Sequence, residues 1–385
     1  MYSLLLAFIY LAFISLGLPD SLLGAAWPSM YVQFGVPVSY AGAVSVIISL
    51  GTVVSALFTD RLVGRLGTGR VTALSVLMTA LAMFGFSVST AFWQLCLWAV
   101  PYGLGAGSVD AALNNYVALH YKSRHMSWLH CMWGLGASIG PYIMSWALLG
   151  GGWPLGYRAI ALMQAALSAA LLLSLPLWRK SAATPGEAEA ETRAVPKRTL
   201  LRLPGAKALL LAFLCYTGVE STVGIWASSY LALGRGFTEA DAAHFASLFY
   251  IGITAGRALS GFVSFKLGDD AMIRLGQGVV LAGLALLFIP GGDAFALAGL
   301  ALVGFGCAPI YPATIHSTPE HFGAEHSQSM IGLEMACAYV GTTAAPPLFG
   351  LIANHVSIEL FPWYLLAFLA AMFVSHEAVI RRCGK

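Results

Sequence analysis

Four carboxylic acids occupy surroundings in which carboxylic acids are rare. Asp20, Asp110, Glu220 and Glu334 each interrupt a long apolar run, and Arg257 is the basic residue placed in the same way. An ionisable group inside hydrocarbon costs about 2.5–3.5 kcal/mol on insertion scales, so it persists chiefly where it faces a cavity or a partner. Apolar surroundings favour the neutral form of a carboxylate, which allows it to take up a proton near neutral pH. Asp20 has Leu16, Leu23 and Gly24 about one turn to either side and no cation close in sequence.

The spacing around these acids suits a polyhydroxylated solute. Asp110 and Asn114 are four apart and share a helix face, with Asn115 alongside. A carboxylate beside amides supplies the alternating acceptors and donors that hydroxyl groups need. Tyr216 and Glu220 are one turn apart, with Trp226 further along the same helix. An aromatic ring stacks on a sugar's apolar face while a carboxylate takes its hydroxyls; packing or interfacial anchoring is the plainer role for such rings. His130 and Trp133 are three apart, and the histidine suits a proton relay or a packed position. Glu334 and Arg257 are read as an interdomain charge pair or gate.

The elements that carry these residues are membrane helices. Hydrophobic residues make up 58% of the 385 and charged residues only 10%, against roughly 25% charged in a soluble domain. Each span needs about 20 mostly apolar residues to cross a core roughly 30 Å thick. Such stretches lie at about 3–30, 39–63, 70–89, 92–120, 126–149 and 156–178, and again at about 208–233, 240–266, 271–290, 294–316, 327–353 and 358–379. The expected fold is therefore an all-α membrane protein of twelve transmembrane helices in two pseudo-symmetric six-helix bundles. The expected divisions are a bundle at 1–178, a cytoplasmic linker at 179–207, a bundle at 208–380 and a tail at 381–385.

With both termini inside, every Lys and Arg except Arg158, Arg235 and Arg257 falls in inner loops or the tail. That agrees with the positive-inside rule and predicts a multi-pass protein of the cell (inner) membrane. The first apolar run continues past Asp20 to Trp27 and reads as a retained helix, not a cleaved signal. Six scattered cysteines suggest neither a disulfide framework nor a zinc site. No GxxxxGK[ST] motif is present, so transport would draw on a gradient. Gly103-x-Gly105-x-Gly107 and Gly134-x-Gly136-x-x-x-Gly140-Pro141 are expected to serve close helix packing, and Pro309, Pro312, Pro346 and Pro347 to kink helices ten and eleven. Ser55–Gly64 at the end of helix two echoes Ser260–Gly268 at the end of helix eight, an internal repeat typical of carriers.

Asp60-Arg61-Leu62-Val63-Gly64-Arg65-Leu66-Gly67-Thr68-Gly69-Arg70 resembles the loop signature of the major facilitator superfamily, with one residue more between Arg61 and Gly64 than usual. Four further segments resemble the fucose–galactose–glucose:proton symporters within it. They are Leu18-Pro19-Asp20-Ser21-Leu22-Leu23, Gly103-Leu104-Gly105 with Asp110-Ala111-Ala112-Leu113-Asn114, Tyr216-Thr217-Gly218-Val219-Glu220, and Ile310-Tyr311-Pro312-Ala313-Thr314-Ile315. Position 110 is Asp where that family shows Glu, and His130 and Trp133 stand where it shows polar amides.

The resemblance implies a non-enzymatic, proton-coupled carrier of a monosaccharide, without a cofactor, monomeric, with no nucleic-acid partner. It implies Asp20, with Asp110, as the protonation sites. The solute would lie between Asp110, Asn114 and Asn115 of one half and Tyr216, Glu220 and Tyr311 of the other, with His130, Trp133 and Trp226 as further contacts. Asp60, Arg61 and Arg65 would lock and release helix ends. Rival expectations are a proton-driven exporter of drugs or metabolites and a sodium-coupled sugar carrier.

Overall fold

The computed structural model describes residues 2–121, 123–181, 197–263, 267–289 and 292–383. Its first apolar stretch is broken, with α1 (Tyr2–Asp20) followed by α2 (Leu22–Phe34). Pro19 is the cause, because it has no N–H to offer the Ser15 carbonyl one turn back. Gln164 takes over that role, its Nε2 donating to the Ser15 carbonyl at 2.7 Å. The span expected over 3–30 is one membrane-crossing stretch, Leu4–Phe34, made of two helices, and Asp20 sits at their joint.

The chain continues through α3 (Tyr40–Leu66), α4 (Thr68–Ser87), α5 (Phe92–His120), α6 (Ser123–Gly150), α7 (Trp153–Leu173) and the short α8 (Leu175–Ser181). Of the linker expected at 179–207, residues 182–196 lie outside the described residues; α9 (Lys197–Leu200) follows them. Then come α10 (Ala206–Ser229), a π-turn at Tyr230–Gly234, α11 (Glu239–Val263), α12 (Asp269–Leu287), α13 (Asp293–Cys307), α14 (Ile310–Phe322), α15 (Ala324–His355) and α16 (Phe361–Cys383). The tenth span, expected as one run over 294–316, is interrupted at Ala308–Pro309 and extends to Phe322; α15 carries Pro346 and Pro347 without a break. Residues 384–385 of the expected tail lie outside the described residues.

Among the described residues, nine helical stretches are long and apolar enough to cross a membrane. Helices α5, α6 and α11 have the length as well, at 29, 28 and 25 residues, and they bring the spans to twelve. These three carry Asp110, the His130–Trp133 pair and Arg257, the polar cargo that lowers their hydropathy.

Two compact units result. One is Met1–Glu187 with Leu231–Ser247, and the other is Ala188–Tyr230 with Leu248–Lys385. The stretch Leu231–Ser247, expected in the second bundle, groups with the first, where the Ser29 hydroxyl donates to Glu239 and Tyr142 packs edge-on to His244 at 4.5 Å. Inside each unit the pairing rule is the same. First helix packs on fifth (α1 on α6; α10 on α15), second on fourth (α3 on α5; α11 on α13), and third on fourth and sixth.

Small residues set these crossings, since helices in lipid associate through close packing and not through expulsion of water. On α5, Gly103 and Gly107 back onto α3, where an added methyl would strike the backbone of Ile48 or Thr52, while Gly105 faces the Ser75 carbonyl of α4. The Gly-x-Gly-x-Gly run is therefore a two-sided packing strip. On α6, Gly136 and Gly140 lie against the carbonyls of Ile14 and Leu18. In the second unit Gly252 and Gly256 of α11 meet the backbone of Ala301 and Phe305 in the same way.

Trp226 shows what a large side chain does in this packing. It is fully buried, its Nε1 donates to the Pro346 carbonyl at 2.9 Å, and its ring meets Phe349 edge-on at 5.5 Å. With its one polar atom committed to backbone, it packs between α10 and α15, the plainer of the two roles its sequence position offered. Trp226→Phe should cost about 0.6 kcal/mol for the lost hydrogen bond, and no more than about 1.7 kcal/mol. A small drop in melting temperature with unchanged uptake is the expected outcome; an uptake defect at full stability would restore a substrate role.

Candidate functional site

Asp20 is held by two donors from different helices. Tyr102 of α5 donates its hydroxyl to Oδ1 at 2.5 Å, and Trp133 of α6 donates its indole N–H to Oδ2 at 2.7 Å. Both helices reach Asp20 because α1 lies close to α6 along the Gly136–Gly140 face and the Pro19 break places the carboxylate at a helix end. Trp133, expected from sequence as a substrate contact, is therefore a hydrogen-bond partner of Asp20. Hydrogen bonds to a charged group each contribute about 1.5–3 kcal/mol. Among the described residues, no ion pair involves Asp20 or Asp110.

Asp110 belongs to the same unit as Asp20. Asn114 Nδ2 donates to Asp110 Oδ1 at 2.8 Å and to its backbone carbonyl at 3.0 Å, as the four-residue spacing implies. Asn115 is exposed, on a different face from its neighbour. His130 is half-buried and packs edge-on against Phe13 at 6.0 Å.

Tyr102 escaped sequence reading. It precedes Gly103 and stands eight residues before Asp110, within the same apolar-helix face pattern. That spacing was the available signal.

In the second unit, Glu220 of α10 pairs with Arg257 of α11 at 3.6 Å, with side chains 21% and 17% exposed. Tyr216 is buried one turn before Glu220, and its ring and that of Tyr311 lie against Phe213. Tyr311 donates its hydroxyl to Met335 Sδ at 3.3 Å. The expected interdomain pair of Arg257 and Glu334 is not what forms, since both belong to one unit and Glu220 is the acid ion-paired to Arg257. Glu334 is fully buried and accepts from Thr318 Oγ1 at 2.7 Å. A fixed buried charge costs less beside an opposite charge than alone, which is why Arg257 settles on the acid one helix away.

Of the loop signature, the side chain of Asp60 lies outside the described residues. Arg61 sits over the Phe58 ring at 5.7 Å, and Arg65 is exposed at the end of α3. A second polar cluster was not anticipated. Asp269 and Asp270 open α12 and meet His316 and His321 of α14 and His376 of α16, while Arg274 forms a two-pronged pair with Glu377 at 2.6 and 2.8 Å. Its members are scattered over 109 residues of sequence, from 269 to 377, with no local pattern to join them. Among the described residues no group of three His, Cys, Asp or Glu is arranged to hold a metal ion.

Twelve spanning helices in two repeated sets, with acids and their neutral donors inside the spans, define a multi-pass membrane transporter and not an enzyme. The chain belongs to the Major Facilitator Superfamily, whose family model matches residues 9–303 and 246–380. It is similar to the cis,cis-muconate transport protein of Acinetobacter baylyi, 23% identical over 96% of this chain and 94% of that one. It is also similar to the glucose/mannose transporter GlcP of Bacillus subtilis, 24% identical over 80% of this chain and 77% of that one. Among solved structures, a bacterial homologue of the human lysosomal transporter Spinster, in an inward-facing and occupied conformation, superposes with a TM-score of 0.73. That match covers 99% of this chain and 96% of the other at 12% identity, a likeness of fold alone.

Proposed function

We infer that the protein carries a small neutral polar solute, a monosaccharide first among candidates, by alternating access coupled to protons, as in the fucose–galactose–glucose:proton symporters that its motifs resemble. The observation that carries this reading is the pair of intramembrane acids, Asp20 and Asp110, held by neutral donors and amide and free of cation partners among the described residues. An acid with a cationic partner is fixed in its charged form; one held by neutral donors changes charge more readily.

Protonation of Asp20 would alter a specific bond. Tyrosine can donate or accept, whereas indole only donates. A proton on Oδ1 would reverse the Tyr102 bond, so that the hydroxyl accepts from Asp20 and must turn its own hydrogen elsewhere, while the Trp133 bond stays. Protonation is thus coupled to a rearrangement between α1 and α5, and coupling of ion to solute requires such a difference between states. Asp110 and Asn114 offer acceptor and donor side by side for solute hydroxyls. GlcP, a relative whose name specifies glucose and mannose, supports the sugar assignment.

The test is uptake into proteoliposomes of labelled hexoses, 6-deoxyhexoses, a dicarboxylate and a cationic drug, under imposed proton or sodium gradients. Accumulation of a hexose or deoxyhexose driven by a proton gradient and abolished by a protonophore is expected. Uptake of the dicarboxylate alone would shift the assignment toward the muconate relative, and dependence on sodium would replace the coupling ion.

A further inference from the structure

We propose that Glu334 is a second proton-binding residue, in a different unit from Asp20, reached from an exposed histidine–aspartate cluster through His321. Glu334 is fully buried on α15, and only one of its oxygens is satisfied. Thr318 Oγ1 donates to Oε1 at 2.7 Å, while Oε2 is buried without a hydrogen-bond partner. Leaving a charged oxygen in that condition costs more than an ordinary lost hydrogen bond, since the full desolvation penalty goes unrelieved. A proton on Oε2 removes the charge from a place that does not solvate it, and that oxygen is the one with room to accept it.

The adjacent helix supplies a route. His321 lies one turn beyond Thr318 on α14, its side chain 8% exposed and within electrostatic range of Glu334. Its Nε2 stands 3.5 Å from Asp270 Oδ2, while its Nδ1 is buried without a partner. Asp270 in turn holds His376 Nε2 of α16 at 3.2 Å through its other oxygen, and its own side chain is 35% exposed. Asp269, next in line, pairs with His316, whose side chain is 83% exposed. Acid and imidazole groups therefore run from an open surface to a buried carboxylate, with two orphaned atoms, His321 Nδ1 and Glu334 Oε2, at the inner end. We place one water between them, which would give each a partner.

The transfer is a simple relay. A proton arriving at Asp270 passes to His321 Nε2, and the imidazolium releases its Nδ1 proton through the bridging water to Glu334 Oε2. His321 is left neutral with its proton on Nε2, Glu334 becomes a neutral acid, and only N–H and O–H bonds form or break. Among the described residues, the other charged groups around the route include Arg274 and Asp269 from α12, Glu320 from α14, and Glu377 and Arg381 from α16. Arg274 and Glu377 neutralise each other in their two-pronged pair, which leaves the histidine–aspartate groups to respond to pH. This proposal deepens the proton-coupled reading and rests on it for its role in transport.

Infrared difference spectra of the purified full chain, recorded between mildly alkaline and mildly acid pH, test the site without any solute. A carboxylic-acid carbonyl band is expected that Glu334→Gln removes, that Asp20→Asn leaves in place, and that Thr318→Val shifts. His321→Gln should leave the band but slow its appearance after a pH jump. A band untouched by Glu334→Gln overturns the proposal. If that variant does not fold, a band that Thr318→Val fails to shift overturns it instead. Loss of proton-driven uptake in Asp20→Asn is a separate result, so failure of the coupling reading would leave the Glu334 band to be judged by itself.

Discussion

Asp20→Asn is expected to abolish accumulation of solute against its gradient while leaving exchange of solute across the membrane intact. The asparagine amide has the shape of the protonated acid. With its oxygen toward the Trp133 N–H it keeps that bond, and with its NH₂ toward the Tyr102 hydroxyl it reverses the other, as the protonated acid would. The fold therefore survives, because the Tyr102 hydroxyl turns as it would for the protonated acid, and the position is locked in its proton-loaded arrangement. One proton moving through about 100 mV carries about 2.3 kcal/mol. That energy corresponds to roughly a 40-fold concentration ratio of solute. The variant should lose that ratio and come to equal concentrations inside and out, measured as uptake into proteoliposomes under an imposed proton gradient. Counterflow, which needs no proton cycle, should persist. Tyr102→Phe, which removes the reversible bond but not the acid, should give an intermediate loss. If Asp20→Asn accumulates solute as well as the parent protein, the coupling role assigned to Asp20 is wrong.

Gly136→Val should cause the largest loss of folded protein of any single change considered. A side chain at 136 would collide with the Ile14 carbonyl of α1, a backbone atom that cannot swing aside as a flexible side chain does. Overpacking in a well-packed core costs about 1–3 kcal/mol, and rigid backbone contacts place this site at the upper end. The consequence is functional as well as structural. Trp133 stands three residues earlier on α6, so any separation of α6 from α1 draws its indole away from Asp20. Expected readouts are a lower melting temperature in detergent, a broadened size-exclusion peak and loss of uptake in whatever protein survives. Gly278→Ala on α12 is the control, since an added methyl there meets nothing within 4 Å. It should raise stability by about 0.5–1 kcal/mol, the usual gain from replacing a helical glycine. A Gly136→Val protein as stable as its parent would mean that α1 and α6 do not cross as closely as described.

Much of this molecule was legible without coordinates. The scarcity of charge required a bilayer, the length of each apolar run counted the spans, and the echo of one half in the other marked an internal repeat. Rarity alone marked Asp20, Asp110, Glu220 and Glu334, because a carboxylate in an apolar run needs a reason to be there. Spacing correctly joined Asp110 to Asn114, since one helical turn is information that sequence carries.

Tertiary structure decided the partners. Asp20 meets Tyr102 and Trp133 across 82 and 113 residues, Arg257 pairs with Glu220 and not with Glu334, and Trp226 donates to a backbone carbonyl 120 residues away. Helical periodicity reports only what lies three or four residues off. Which helix abuts which, and at what height, depends on where glycines let two backbones touch and where a proline breaks a span. The same limit hid the Asp269–Asp270 cluster, whose acids and histidines come from three helices and share no local pattern. Hydrophobicity is a local property and can be summed along a chain, whereas a hydrogen bond between spans depends on the packing of both and exists only once they have met.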